Sequence, residues 1–170
     1  NNYYAGAAMA PNGLFMVSIS DQFVKVDTAT GQVFNIGVAS IPNVWTGMTY
    51  NATMNKVYGL ASSGSVNQLY EIDSRTATPT LLGTIANTNG FRLLWLAADA
   101  NGDTYAMRQA ESGNAVIFKI LLNPLSAVAL PSGTGFQAKY AQDAEFDPIS
   151  GKLLLFGVTR AIGSGRDFPG

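Results

Sequence analysis

The sequence predicts an all-β chain in which a four-stranded antiparallel unit repeats about three and a half times. Three observations carry that expectation. Apolar residues alternate or fall in strand-length blocks, and Gly, Thr, Ser and Asn interrupt every window long enough for three helical turns. One phrase, Gly47 to Asp73 (GMTYNATMNKVYGLASSGSVNQLYEID), returns in weaker form on either side of itself. The spacing of those returns is regular. With Asp27, Asp73 and Leu121 taken as equivalent the intervals are 46 and 48 residues; with Phe15, Tyr58, Tyr105 and Leu154 they are 43, 47 and 49. A period near 46 lies between the roughly 40–45 and 50 residues of propeller-blade repeats.

Each unit reads as strands a to d. The first has a near Tyr3–Ala10, b at Leu14–Ile19, c at Gln22–Asp27 and d at Gln32–Val38. The second runs Trp45–Tyr50, Lys56–Leu60, Gln68–Asp73 and Thr80–Ile85, and the third Leu93–Ala98, Thr104–Gln109, Ala115–Leu121 and Ala127–Leu130. The fourth offers Tyr140–Phe146 and Lys152–Thr159. The blades therefore span about 3–38, 44–86, 92–131 and 139–159, the last incomplete, with 160–170 a loop-like tail whose Gly and Pro content argues against a further strand.

Turn chemistry supports these boundaries. Asn12-Gly13, Asn101-Gly102 and Ser150-Gly151 fall between strands a and b, where a tight hairpin needs positive φ. After strand c of the first unit, Asp27 can accept N–H groups from the next residues and Gly31 can take the left-handed position; Asp73-Ser74-Arg75-Thr76 repeats the start without the Gly. Strands a and b are nearly continuous apolar runs and strand c alternates, an inner-to-outer gradient suited to radially packed blades.

GMTYNATMNKVYGL…LYEID, LAADANGDTYAM…IFKI and YAQDAEFDPISGKLLLFG together resemble the blades of secreted bacterial β-propellers of the Bacteroidetes type. The resemblance covers almost the whole chain, but its motifs are structural. It implies a β-propeller-like array and a secreted, periplasmic or cell-surface location, and says little about ligand. The chain departs from the pattern at Ala10, where the other units have Asn51, Asp99 and Asp147, and at Leu121-Leu122-Asn123-Pro124, which replaces an acidic turn. Asp27-Thr28-Ala29 is similar to O-glycan acceptors of that group, although a plain turn explains it.

Fourteen strands fall short of a ring, since closed propellers have 4–8 blades. An open arc exposes an apolar blade face and unpaired edges. Three resolutions follow: the remainder of a longer chain closes the ring, a second copy closes it, or the strands form a small barrel or sandwich.

Composition excludes several chemistries. The 170 residues hold no His and no Cys, so a Ser-His-Asp triad, thiolate metal sites and Cys nucleophiles are all out of reach. Ten Lys plus Arg against 11 Asp plus Glu, scattered, give no case for nucleic acid. The longest apolar runs, such as Leu93–Ala98, are far below the roughly 18–20 residues that cross a bilayer, and no leader peptide opens the chain, though one could have been removed. No cofactor or metal motif is recognised. Asp99, Asn101 and Asp103 imitate the start of a calcium loop, but the twelfth position is Ala110, so the segment reads as a hairpin turn. Asn51-Ala52-Thr53 matches an N-glycosylation acceptor.

Candidate ligand contacts sit where the a strands begin, near a propeller's axis. Tyr3, Tyr4, Trp45, Arg92, Tyr140, Gln142 and Asp143 form that set, aromatic and Arg side chains being suited to stacking on sugars or peptide groups. Trp45 and Trp95 have inter-blade core as their plainer alternative. Asp143, Glu145 and Asp147 lie at alternate positions and so share one face, where three ionised groups need solvent or cations; Asp147 aligns with the turn residues Asn51 and Asp99 and so reads as structural, and Asp143 and Glu145 have a core or channel edge as their plainer alternative. The functional expectation is a non-catalytic binding or adhesion platform for carbohydrate or protein. The alternatives are a carboxylate-dependent polysaccharide hydrolase or lyase, built on Asp143 and Glu145 with Arg92 or a Tyr, and a structural or oligomerisation module.

Overall fold

A computed structural model describes residues 3–108, 115–131, 136–138, 143–156, 158–161 and 167–169. Three four-stranded antiparallel sheets follow one another along the chain. The first is β1 (Tyr4–Ala10), β2 (Gly13–Ser18), β3 (Gln22–Val26) and β4 (Val33–Val38). The second is β5 (Val44–Asn51), β6 (Lys56–Ser63), β7 (Val66–Ile72) and β8 (Pro79–Thr84), and the third β9 (Leu93–Ala98), β10 (Thr104–Arg108), β11 (Ile117–Leu122) and β12 (Leu125–Ala129). In each sheet sequence neighbours are spatial neighbours, the up-and-down order of a propeller blade. The barrel and sandwich alternatives are thereby set aside.

Beyond the third blade, β14 (Asp143–Phe146) pairs with β15 (Leu153–Phe156). A separate sheet joins β13 (Phe136–Ala138), β16 (Val158–Ala161) and β17 (Asp167–Pro169) in the order β13-β16-β17. The expectation that no strand follows residue 159 is thus not met. β17 is an edge strand, one of the few places in a sheet where a Pro is tolerated.

The blades stack through their first strands: β1 packs on β5, β5 on β9, and β9 on β14. Two glycines make this approach possible. A Cβ on Gly6 would lie 2.6 Å from the Met48 nitrogen, and one on Gly47 only 2.4 Å from the Trp95 Cα. Each of these three inner strands is bulged at the same place, between Tyr4 and Gly6, between Trp45 and Gly47, and opposite the Tyr105–Met107 step, where Trp95 takes φ +40°. A bulge re-aims a strand, here so that one blade can lean on the next.

Three apolar clusters fill the spaces between consecutive blades. Phe15, Val17 and Phe23 of the first meet Trp45, Met48 and Ile72 of the second. Tyr58, Leu60 and Leu69 of the second meet Leu93, Leu96 and Phe118 of the third. Leu94, Trp95 and Met107 meet Ala144 of β14, with Phe146, Leu153 and Leu155 at the margin. Burial falls outward as expected: every residue of β9 is buried, while β4 and β8 are largely exposed.

The turns behave as their chemistry predicts. Asp27 Oδ1 accepts the Ala29 and Thr30 N–H groups at 2.8 and 3.1 Å, and Gly31 takes φ +72°. Asp73 repeats both bonds with Arg75 and Thr76, and Ala77, at φ +61°, stands where Gly31 does. Asp99 Oδ1 accepts from Asn101 and Asp103, and the Asp103 carboxylate pairs with Lys119 at 2.5 Å, so the calcium-like segment is a hairpin turn. Asn51 is fully buried, donating to the Gly102 carbonyl at 2.8 Å, which withdraws it from any glycosyl donor.

Candidate functional site

The starts of the inner strands converge on one cleft. Its volume is about 410 Å³, and its walls come from Tyr4 to Ala7 of β1, Met16 of β2, Ile19, Val44 to Thr46 of β5, Arg92, and Asp143 of β14. Four blades therefore contribute to one concavity. Three of its apolar lining side chains are left in solvent, Tyr4 44% exposed, Ile19 50% and Val44 46%; beside lining residues in the chain, Tyr3 is 65% and Phe91 40% exposed, the Phe91 ring lying 4.4 Å from the Arg108 guanidinium. The Ile19 N–H donates to the Tyr3 carbonyl at 2.9 Å, which ties these two rim residues together.

Arg92 is placed by a residue absent from the predicted contacts. Asn67 of β7 is fully buried; its Nδ2 donates to the Phe91 carbonyl at 2.8 Å, and its Oδ1 accepts the Leu93 N–H at 2.8 Å. The amide thus grips the backbone on both sides of Arg92. Ser62 Oγ donates to the same Oδ1 at 2.7 Å, which fixes the amide's orientation. An Asn inside a strand is disfavoured by propensity, and that misfit was the available signal.

Among the described residues the buried Nε of Arg92 has no hydrogen-bond partner, and no ion pair joins Arg92 to Asp143 although both line the cleft. Asp143 Oδ1 accepts the neighbouring Ala144 N–H at 3.0 Å. Burial is the main reason its carboxyl is pushed up to about 6. Glu145, two residues along the same face, is pushed up to about 7 by burial first and by the Asp143 charge as well. The expectation of ionised carboxylates facing solvent or cations is corrected for Asp143 and Glu145, while Asp147 is the turn acid that its alignment with Asn51 and Asp99 implies. Asp143 and Glu145 are half-buried without a cation, and Asp147 lies past the strand, its carboxylate accepting from Ile149 and Ser150 and held below the usual range by those bonds.

Among the predicted contacts, Tyr4, Trp45, Arg92 and Asp143 do line one cleft, and Tyr3 sits at its rim. Trp45 shows the cleft only an edge. It is 1% exposed, donates from Nε1 to the Ala39 carbonyl at 3.0 Å, and meets Tyr70 edge-on at 5.3 Å, so its main role is core. Tyr140 and Gln142 lie outside the described residues. Glu145 does not line the cleft. A second groove of about 440 Å³ opens between the first two blades, around Asn12, Tyr50, Arg75 and the Lys56–Glu71 ion pair.

No protein-family model and no curated protein sequence matches the chain. Solved structures do. A chain of a nidogen/laminin complex superposes with TM-score 0.63 at 12% identity, covering 98% of this chain and 64% of that one. A Bacteroides thetaiotaomicron protein of unknown function gives 0.59 at 12% identity, covering 98% and 43%. The Dos1 propeller gives 0.55 at 14% identity, covering 92% and 44%. The fold is a β-propeller array. At these identities the likeness extends to the fold alone, and the chain spans roughly two-fifths to two-thirds of these three structures.

Proposed function

We propose that this chain is a non-catalytic binding platform, part of a β-propeller in an exported bacterial protein, and that its ligand, a protein or a carbohydrate, docks at the axial cleft. One observation carries the reading: side chains from four successive blades meet in a concavity rimmed by exposed Tyr3, Tyr4, Ile19, Val44 and Phe91. Contiguous apolar surface of this kind marks interaction sites, and aromatic and Arg groups dominate binding energy where they are desolvated. Further blades complete the ring around it. A glycan array and a pull-down from the parent bacterium test the proposal, each run with the native chain and Arg92→Gln. Capture that the substitution weakens at least tenfold supports it; blank results from both assays on a folded sample overturn it.

A second reading has its own observation. Two carboxyls raised to about 6 and 7, one sharing a cleft with Arg92, suit a general acid in a polysaccharide hydrolase or lyase. It predicts reducing-end release from acidic polysaccharides, abolished by Asp143→Asn. Turnover unchanged in that variant, or none on any polysaccharide, removes the reading.

A further inference from the structure

The cleft's lining separates the two ligand classes just proposed. A sugar needs many hydrogen-bonding groups, because each hydroxyl it buries must be satisfied. This cleft supplies few. Thr46 is already bonded to the Leu60 carbonyl and Ser62, Trp45 has spent its N–H on Ala39, and Met16, Ile19 and Val44 offer none. What the walls do offer is apolar surface, the single hydroxyl of Tyr4, and one cation and one carboxyl, Arg92 and Asp143, which line the same space with no ion pair between them among the described residues. Opposite charges held apart across an apolar cleft are complementary to a ligand with a reversed pair across an apolar body.

We infer that the cleft receives a segment of a protein partner: a large apolar side chain seated between Tyr4, Met16, Ile19 and Val44, flanked by an acidic residue that pairs with Arg92 and a basic residue that pairs with Asp143. The inference rests on the binding-platform reading and narrows it to one ligand class. The exposed rim fits it, since Tyr3, Tyr4 and Phe91 extend the apolar contact beyond the cleft as a protein interface requires. Arg92 is suited to a planar, two-point bond with a carboxylate. Asn67 supports that role by fixing the backbone on either side of it.

The test is selection of a phage-displayed random heptapeptide library on the intact chain, with counter-selection on Arg92→Gln. Enriched sequences should place an aromatic or large aliphatic residue between an acid and a base. A synthetic peptide of that pattern should lose at least tenfold in affinity on Arg92→Gln and on Asp143→Asn, with unchanged circular dichroism. Arg92→Glu should recover binding when the peptide's acid is replaced by lysine, an exchange that a merely structural role for Arg92 would not permit. Peptides bound equally well by native and substituted chains overturn the inference. So does a neutral oligosaccharide bound more tightly than any selected peptide and lost on Arg92→Gln, an outcome that leaves the binding-platform reading standing. Failure of both ligand classes to bind overturns the two together.

Discussion

Asn67 and the acid pair on β14 are the residues on which the site depends most. Removing the Asn67 amide leaves the buried Leu93 N–H and the part-buried Phe91 carbonyl without this partner. Asn67→Ala should therefore destabilise the chain by about 2–3 kcal/mol and loosen Arg92, weakening ligand binding as well. Urea denaturation followed by fluorescence reads the first effect and a binding titration the second. Asp143 and Glu145 make a prediction of opposite sign. Their ordinary values are 3.8 and 4.5, and burial raises them to about 6 and 7 in the folded chain. The folded state thus holds protons more tightly than the unfolded state, and stability falls as pH rises from about 4 to about 7. Above that window the penalty is complete, on the order of 3 kcal/mol for each group. The double variant Asp143→Asn, Glu145→Gln should have a higher Tm than the native chain at pH 8 and a flatter dependence of Tm on pH. A native Tm that rises from pH 5 to pH 8 contradicts this account.

Among the elements, the bulged inner strands decide whether blades can stack. Gly47 lies where its Cβ would meet Trp95 and Leu96 backbone rather than any side chain that can move aside. Gly47→Ala should cost about 3 kcal/mol, at the upper end for overpacking, because the second and third blades must separate to admit one methyl. Gly31→Ala, with nothing within 4 Å, is limited to the strain of its left-handed φ and should cost about 1 kcal/mol. Denaturation midpoints of the two variants measure the contrast. The strands and turns were legible because alternation, Asn-Gly pairs and the Asp27 and Asp73 turns are local signals, set within a few residues. Close approach of β1, β5 and β9 was not legible, since Gly6 and Gly47 read in sequence only as weak strand residues. The site was half legible. Repeat register placed Tyr4, Trp45, Arg92 and Asp143 at one end of the inner strands, whereas Asn67 acts from a different strand of the neighbouring blade. The burial of Glu145, too, depends on tertiary packing that no local pattern encodes.

At the scale of the whole molecule the two ends of the array differ in chemistry. The face of the first blade turned away from the second carries Met9, Leu14, Met16, Val26 and Val33, with Met9 53% and Val33 58% exposed and no charged side chain among them. At the other end, Asp143 and Glu145 share a face with Leu154 and Phe156. Closing a ring head-to-tail from two copies would press those acids against a face that offers no Lys or Arg, a costly burial while they are ionised. The native chain at pH 8 is therefore expected to stay near 17.9 kDa in sedimentation equilibrium. The Asp143→Asn, Glu145→Gln variant should associate more strongly at the same pH, away from the isoelectric point near 5.2 where solubility falls for unrelated reasons. A native dimer at pH 8 that the substitutions leave unchanged contradicts this picture of the ends.

The placement of recognition at the blade axis is tested most directly by hydroxyl-radical footprinting of the chain with and without a captured partner. Protection should fall on Tyr3, Tyr4, Ile19, Val44 and Phe91, while Met9 on the first blade's outer face and Leu81 on β8 keep their reactivity. Protection confined to β4, β8 or the groove around Tyr50 and Arg75, with the axial rim still reactive, would contradict the account.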